Sequence, residues 1–180
     1  QGVSLFMTLL STFEILLSRY ARQTDLCVGS PIANRTHRQI ENLMGFFVNT
    51  LVLRAQLQPA LSVKELLRQN RQTCLEAYAH QDIPFEMLVE QLQPTRSLSH
   101  SPLFQVMLVL QNNETSDLTL QGLEISALEP DYPIAKFDLT LSVEERDEQL
   151  HCFWEYATDL FYLDTIERMA GHFEMLLTAI

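Results

Sequence analysis

The segment SPLFQVMLVLQ, residues 101–111, restricts the possible folds most strongly, because it is apolar on both of its alternating faces. A strand with one face in water alternates polar and apolar residues, whereas a strand covered on both faces does not. We therefore predict that a strand runs from Pro102 through a central position of a sheet, with cover on each side. At 180 residues and 47% hydrophobic content, the chain suits one such domain.

Two amphipathic segments near the chain ends predict long helices that cover this sheet. The first, residues 3–23, carries apolar side chains around most of its circumference. The second opens at Asp164 and Glu167, and its inward positions are Ile166, Met169, Ala170, Phe173 and Leu177. Neither end shows a leading loop or a final cap, so we expect residues 1–180 to be one unit cut from a larger protein at both ends.

Local signals in the middle of the chain predict two further helices joined by a tight corner. Ser62 and Glu65 have the spacing of a capping box, which marks the start of the first. Asp82 is placed to cap the second, whose first turn accepts Pro84 and which Pro94 stops.

Four more segments read as strands. LCVGSPIA, residues 26–33, is short and ended by Pro31, and FFVNTLVLRAQL, residues 46–57, has Asn49 as the one polar side chain on an apolar face. A buried amide needs hydrogen bonds, so Asn49 either fastens a neighbouring loop or contacts a ligand. FDLTLSVEE and LHCFWEYA predict a hairpin with its turn in EERDEQ, and LTLQGLEISAL, residues 118–128, predicts a strand with a bulge or turn at its glycine.

The composition excludes several functional classes. The net charge of −11 argues against nucleic acid as the main partner, and no uninterrupted apolar run is long enough for a membrane span. Cys27, Cys74 and Cys152 are odd in number and far apart, which favours reduced core thiols in a cytoplasmic protein.

No catalytic constellation emerges from residue spacing. The five histidines lie in no metal-binding pattern, and neither a G-x-S-x-G elbow nor a phosphate-binding glycine motif is present. His80, Asp82 and Glu86 have the residue types of an acid/base cluster, but a helix end followed by a helix cap explains them better.

Three segments resemble successive motifs of condensation domains in nonribosomal peptide synthetases. They are MGFFVNTLVLR (residues 44–54), HQDIPFE (residues 80–86) and RSLSHSPLFQVMLVLQN (residues 96–112). VGSPIANR, KFDLTL and DLFYLDTIERMAGHFEMLL are similar to the segments that accompany them. The resemblance implies an α/β (α+β) fold, a chloramphenicol-acetyltransferase-like lobe with a mixed sheet flanked by helices. The chain would be the C-terminal lobe of a two-lobed condensation domain.

The resemblance also implies an activity and its partners. Condensation domains join the acyl or peptidyl group on a donor peptidyl carrier protein to the aminoacyl amine on an acceptor carrier. No cofactor is expected to bind directly, since the carriers bear the phosphopantetheine. An N-terminal lobe holds the HHxxxDG motif, which this sequence lacks, and an adenylation domain is the expected neighbour. The isolated chain is therefore expected to be inactive.

The motif matches give a set of candidate residues for the substrate tunnel or its supporting structure, and no candidate catalytic or metal-binding residue. The set is Gly45, Phe47, Asn49, Thr50, Arg54, His80, Gln81, Asp82, Pro84, Phe85, Glu86, Pro102, Leu103, Phe104 and Gln105. Residues 123–139 would include a latch that reaches the other lobe.

Two alternatives remain open at this stage. The chain would also fit the C-terminal lobe of an epimerization domain, although FFVNT and HQDIPFE favour condensation. The second alternative is a module that docks carrier proteins and performs no chemistry.

Overall fold

Five strands form one mixed sheet in this computed structural model, which describes all residues except 1, 36, 41, 42, 59, 96, 98, 99, 112–122 and 124–133. The strands are β1 Asp25–Ile32, β2 Asn49–Gln56, β3 Val106–Gln111, β4 Leu139–Arg146 and β5 Gln149–Tyr156. Their order is β2-β1-β3-β4-β5, with parallel pairing on both sides of β3 and antiparallel pairs at the two ends. The predicted mixed sheet with a central β3 is confirmed.

Four α-helices lie within the described residues, and three of them cover one face of the sheet. Their bounds are α1 Leu5–Ala21, α2 Val63–Ala79, α3 Phe85–Leu92 and α4 Leu163–Ala179. The core joins α1, α2 and α4 to inward residues such as Leu53, Leu108 and Leu141. None of these helices is long and apolar enough to cross a bilayer.

Local signals predicted the start of α2 and the buried face of α4, but α4 begins at Leu163 after Tyr162, without the side-chain cap expected from Asp164. The Ser62–Glu65 capping box is present, with the Ser62 N–H donating to Glu65 Oε2 at 3.0 Å and the Glu65 N–H donating to Ser62 Oγ at 3.3 Å. In α4, Ile166, Met169 and Phe173 are buried and the other two predicted inward residues are partly buried. These outcomes follow from hydrogen bonds and periodicity that lie within one short stretch of chain.

The predicted hairpin is also confirmed. β4 and β5 pair along their whole length, and Asp147 and Glu148 form the turn with φ angles of 54° and 59°. Two consecutive left-handed residues make the kind of two-residue turn whose twist matches that of the flanking strands. The strand predicted at residues 118–128 and much of the expected latch lie outside the described residues.

The predictions for Pro31 and Cys152 were wrong. Pro31 does not end its strand, because β1 continues to Ile32 and pairs Pro31 with Thr50. Pairing of β1 with β3 is confined to Val28 and Gly29, so one side of the strand at Pro31 carries no ladder that needs its missing N–H. Cys152 is exposed rather than a core thiol, whereas Cys74 is buried and Cys27 half-buried; all three are free.

A buried polar cluster between α1 and α2 was not predicted. Glu14 is 1% exposed, and Asn70, which is 2% exposed, donates from Nδ2 to its carboxylate and to Ser11 Oγ, the latter at 2.8 Å. Burial raises the pKa of Glu14 to about 8, against the lowering effect of the Asn70 hydrogen bond. A carboxyl group is therefore held in the core largely in its neutral form at neutral pH.

Candidate functional site

A cavity of about 770 Å³ brings together residues from all three predicted motifs. It lies where β1 ends and β2 begins and extends to the segment before β3. Candidate residues in its wall are Phe47, Asn49, Thr50, Asp82, Pro84, Phe85, Glu86, Pro102 and Phe104. Residues remote from one another in the chain thus share one cavity, which makes it the candidate site.

Asn49 connects β2 to the corner between α2 and α3. Its Nδ2 donates to the carbonyl oxygens of Gln81 and Ile83, both at 2.7 Å. Its Oδ1 accepts from the backbone N–H of Thr50 at 2.9 Å and of Phe85 at 3.2 Å. An asparagine side chain has two N–H donors and one carbonyl oxygen with two lone pairs, so these four bonds use its whole capacity.

The same contacts explain how α3 begins, and they correct the prediction for Asp82. The residue before the helix is Pro84, which has no side-chain cap, and Asp82 does not provide one. The Phe85 N–H instead donates to Oδ1 of Asn49, the first residue of β2. Because the cap comes from 36 residues away, no local pattern around Asp82 reveals it.

Phe104 forms the aromatic centre of the cavity wall. It is 2% exposed, and its ring centroid lies 5.6 Å from that of Phe85 and 5.3 Å from that of Phe137. The preceding Leu103 has φ +68°, and the Phe104 N–H donates to the Pro102 carbonyl at 2.9 Å. This turn delays β3 to Val106, so the prediction of a strand from Pro102 was wrong at its start.

Gly29 makes room for this ring. A Cβ atom at Gly29 would lie 2.3 Å from Phe104 Cε2, closer than van der Waals contact allows. The aromatic wall of the cavity therefore depends on a residue without a side chain in β1.

We expect Gly29→Ala to displace Phe104 and to lower the free energy of unfolding by about 2 kcal/mol through overpacking. Phe104→Leu should cost less in the Gly29→Ala background than in the wild type, and urea denaturation of the four proteins measures this coupling. The matched control is Gly171→Ala in α4, where a Cβ meets nothing within 4 Å and should stabilise the helix. Additive effects at positions 29 and 104 would contradict the packing argument.

The remaining candidate residues lie outside the cavity wall or act through their backbone. Arg54 forms an exposed ion pair with Asp25, with Nη2 at 2.6 Å from Oδ2, and this guanidinium lowers the pKa of the Asp25 carboxyl. His80 caps the end of α2, and Gln105 Nε2 donates to the Ser101 carbonyl at 3.0 Å. Gly45, Gln81 and Leu103 are likewise absent from the described lining.

An exposed apolar rim borders the cavity. Met44 is 101% exposed and Phe46 is 92% exposed, and Leu43 and Val48 are about half exposed. Phe46 and Val48 also line the cavity, and the Arg35 guanidinium stacks 4.4 Å from the centroid of the Phe47 ring. Exposed apolar patches of this kind occur at protein–protein interfaces and at ligand-binding grooves.

Eight of the described lining residues were not among the candidates from the sequence, and Lys136 and Asn34 are two of them. Lys136 lies at the cavity with its ammonium group 5.6 Å from the Phe137 ring centroid, and Asn34 lies two residues beyond β1. Both stand inside segments that resemble the family, VGSPIANR and KFDLTL, which was the available signal. In the described residues, no group of three or more His, Cys, Asp or Glu side chains is arranged to hold a metal ion.

Comparison with known proteins gives matches over the whole chain. The family model described as Condensation domain matches residues 1–180. A linear gramicidin synthase of Brevibacillus parabrevis is 50% identical over 182 residues, and malpinin synthetase of Mortierella alpina is 49% identical over 178 residues. These alignments cover 100% and 99% of this chain but only 4% and 2% of the two relatives.

Two solved structures have the same fold over nearly all of the chain. The X-domain from teicoplanin biosynthesis aligns with a TM-score of 0.88 at 26% identity, covering 98% of this chain and 41% of that one. A holo four-domain nonribosomal peptide synthetase bound to AMP and glycine aligns with a TM-score of 0.86 at 26% identity, covering 98% of this chain and 15% of that one. The chain thus spans less than half the length of these proteins.

Proposed function

The chain belongs to the condensation-domain family of nonribosomal peptide synthetases, and we propose that it is the C-terminal lobe of a unit that forms amide bonds between two carrier-bound substrates. The donor would be an acyl or peptidyl thioester and the acceptor an aminoacyl thioester. In this proposal the lobe supplies one wall of the substrate tunnel, while the complementary lobe supplies the catalytic histidine.

The cavity shared by the three motifs is the observation that carries the proposal. Its volume of about 770 Å³ falls in the range of small-molecule sites, and its wall combines phenylalanine rings with a few polar groups. Phosphopantetheine attached to a carrier is a long, thin group with methyl and amide portions. An aromatic wall with sparse polar groups suits such a ligand.

The catalytic histidine motif of the family does not occur in this sequence, which supports a division of labour between two lobes. No histidine occurs among the described residues that line the cavity, and the HHxxxDG motif is absent from the sequence. The apolar rim, residues 43–48, would pack against the N-terminal lobe and close the tunnel from that side. Burial of Met44 and Phe46 would then contribute to association of the lobes.

The isolated chain is expected to form no peptide bond, because no histidine among the described residues of the cavity is available as the general base for the amine. The measurement is condensation between a donor-loaded and an acceptor-loaded carrier, read by mass spectrometry, with the chain alone and with the two-lobed unit. We expect product only with the two-lobed unit. Product above the carriers-only background with the chain alone would overturn this division of labour.

The partners follow from the same proposal. They are the N-terminal lobe, a donor and an acceptor peptidyl carrier protein that bring the phosphopantetheine, and a neighbouring adenylation domain. Similarity to a four-domain synthetase that binds AMP and glycine supports a multidomain setting.

One observation favours a second candidate function. The teicoplanin X-domain is known in a complex with OxyB, and this complex aligns with a TM-score of 0.84 at 27% identity. A domain of this fold can therefore serve to dock another protein. The condensation assay separates the two functions, since a docking module would bind loaded carriers without forming product even in its two-lobed form.

A further inference from the structure

Arg35 contacts three separate points of the connection between β1 and β2. Its Nη1 donates to the carbonyl oxygen of Ile40 and, at 2.8 Å, to that of Leu43, and its guanidinium carbon lies 4.4 Å from the centroid of the Phe47 ring. The two carbonyls follow Arg35 in the chain by five and eight residues, and Phe47 comes after both. One half-buried side chain therefore bonds to the middle of the connection and packs against its end.

This combination of contacts suits an arginine better than any other side chain. Nη1 carries two N–H groups, which match the two carbonyl oxygens, and the planar guanidinium can lie over an aromatic ring at the same time. A lysine has the same charge, but its compact ammonium group lacks the planar fork. We therefore expect the arrangement to depend on the shape of the group as well as on its charge.

The Phe47 ring has a second close neighbour in the same connection. A Cβ atom at Gly45 would lie 2.9 Å from Phe47 Cε2, so the backbone at Gly45 passes close to the edge of the ring. The Leu43 N–H also donates at 3.2 Å to the carbonyl of Ile40, the last residue of a short 3₁₀ helix, Arg38–Ile40. The connection is therefore ordered by contacts of its own.

These contacts reach the candidate site through Phe47. The ring lines the cavity, whereas Arg35 is absent from the described lining. Attraction between a cation and an aromatic ring favours one placement of the ring. A molecule in the cavity would thus meet a wall whose shape depends on Arg35, although Arg35 itself does not line that wall.

We propose that Arg35 is a positioning residue that fixes the Phe47 ring as part of the wall against which a carrier-borne pantetheine arm binds. The inference rests on the proposed function, which brings such arms to the cavity. Because the wall contacts the arm in the substrate and in the transition state alike, loss of Arg35 should weaken binding of the arm and leave the chemical step unchanged.

Condensation kinetics of the two-lobed protein that contains this chain test this role. In Arg35→Ala we expect the KM for one of the two loaded carriers to rise about tenfold, with kcat within about twofold of the wild type. Arg35→Lys should recover little of this loss, because it restores the charge without the planar fork. An unchanged KM in folded Arg35→Ala would overturn the proposal.

Chemical rescue separates the shape of the guanidinium group from its charge. Guanidinium ion, at a concentration that leaves the wild-type kinetics unchanged, should lower the KM of Arg35→Ala towards the wild-type value. Ammonium ion at the same concentration should not. Equal rescue by the two ions would reduce the role of Arg35 to that of a positive charge and would contradict the stacked, forked arrangement.

Two further variants control for charge and for the ring. Arg38 lies in the same connection, is exposed and makes no hydrogen bond or ion pair within the described part of the chain, so Arg38→Ala should leave KM unchanged. In a Phe47→Leu background, Arg35→Ala should raise KM by less than about twofold, because the ring it positions is gone. A tenfold rise in Arg38→Ala, or full additivity of Arg35→Ala and Phe47→Leu, would overturn the proposal.

Limited proteolysis reads the state of the connection without any activity. Chymotrypsin should cleave after Phe46, which is 92% exposed, about tenfold faster in Arg35→Ala than in the wild type, and guanidinium ion should slow this cleavage again. Cleavage after Phe173, which is buried in α4, reports global unfolding and should not change. Equal acceleration at both sites would show that Arg35 supports only overall stability.

The failure of this inference is distinct from that of the proposed function. If the wild-type two-lobed protein forms no amide product, the proposed function falls, and with it the assignment of this wall to an arm, even where proteolysis shows that Arg35 orders the connection. If the wild type forms product and Arg35→Ala keeps its KM for both carriers, the proposed function stands and the role of Arg35 is wrong.

Discussion

Asn49→Asp is expected to release the corner between α2 and α3 and to lower the free energy of unfolding by about 3 kcal/mol. The substitution removes both Nδ2 donors and places a carboxylate oxygen 2.7 Å from the carbonyls of Gln81 and Ile83. Losing hydrogen bonds while leaving their partners unsatisfied costs about 1–3 kcal/mol, and repulsion between the oxygens adds to it. Urea denaturation measures the change, with amide hydrogen exchange at the start of α3 as a local readout.

The matched control is Gln81→Glu, the same amide-to-carboxylate change at a residue whose backbone, rather than side chain, bonds to Asn49. It should leave stability nearly unchanged. Because Asn49 has no hydrogen-bonding capacity left for a substrate, we expect single-turnover condensation per folded molecule in Asn49→Ala to stay within about threefold of the wild type. A loss of tenfold or more in fully folded Asn49→Ala would instead assign it a contact with the substrate or its arm.

Glu14→Gln is expected to stabilise the protein increasingly as the pH rises. The folded state raises the pKa of Glu14 from 4.5 to about 8 by burial, so folding takes up a proton between these values. The associated stability is fully present below about pH 4.5 and is lost as the pH rises towards 8. Glutamine keeps an acceptor for Asn70 without ionising, and the gain at pH 8 should be on the order of 3 kcal/mol.

The titratable groups Cys74 and Tyr78, which lie near Glu14, do not change protonation in this pH range. Burial and the nearby Glu14 carboxyl raise the pKa of Cys74 to about 12, and burial with the Cys74 thiol raises that of Tyr78 to about 12, so both stay protonated. Urea midpoints between pH 5 and pH 8.5 provide the measurement, and exposed Glu76→Gln in α2 is the control. Parallel pH profiles for the wild type and Glu14→Gln would contradict the buried neutral carboxyl.

Elements whose signals lie within a few residues were predictable. The capping box joins Ser62 to Glu65, which lies three residues later in the chain. The alternation of Leu139, Leu141 and Val143 lies within the single strand β4. Hydrogen-bond geometry and side-chain periodicity act at that range, so the helix start and the buried face of the hairpin followed from sequence. The family was also predictable from the sequence, because three segments in the expected order resemble motifs of condensation domains.

The exceptions were contacts made from a distance. Asp82 looked like a helix cap, but Asn49 takes that place from β2, and Phe104 left the expected strand to pack over Gly29. No local pattern singled out Asn70, which bonds to Glu14 in the core. In each case a contact between two groups that are far apart in sequence replaces the structure that the local sequence favours.

The sequence by itself determined the classes of element, their apolar faces and the family, because these depend on composition and short-range order. Tertiary structure alone decided which polar groups are satisfied. It showed that Asn49 is fully bonded while Asn34 Oδ1 meets no donor among the described residues, and that residues from three motifs meet in one cavity. The physical reason is that a hydrogen bond requires its two atoms to lie within about 3 Å, and chain folding sets that distance for residues remote in sequence.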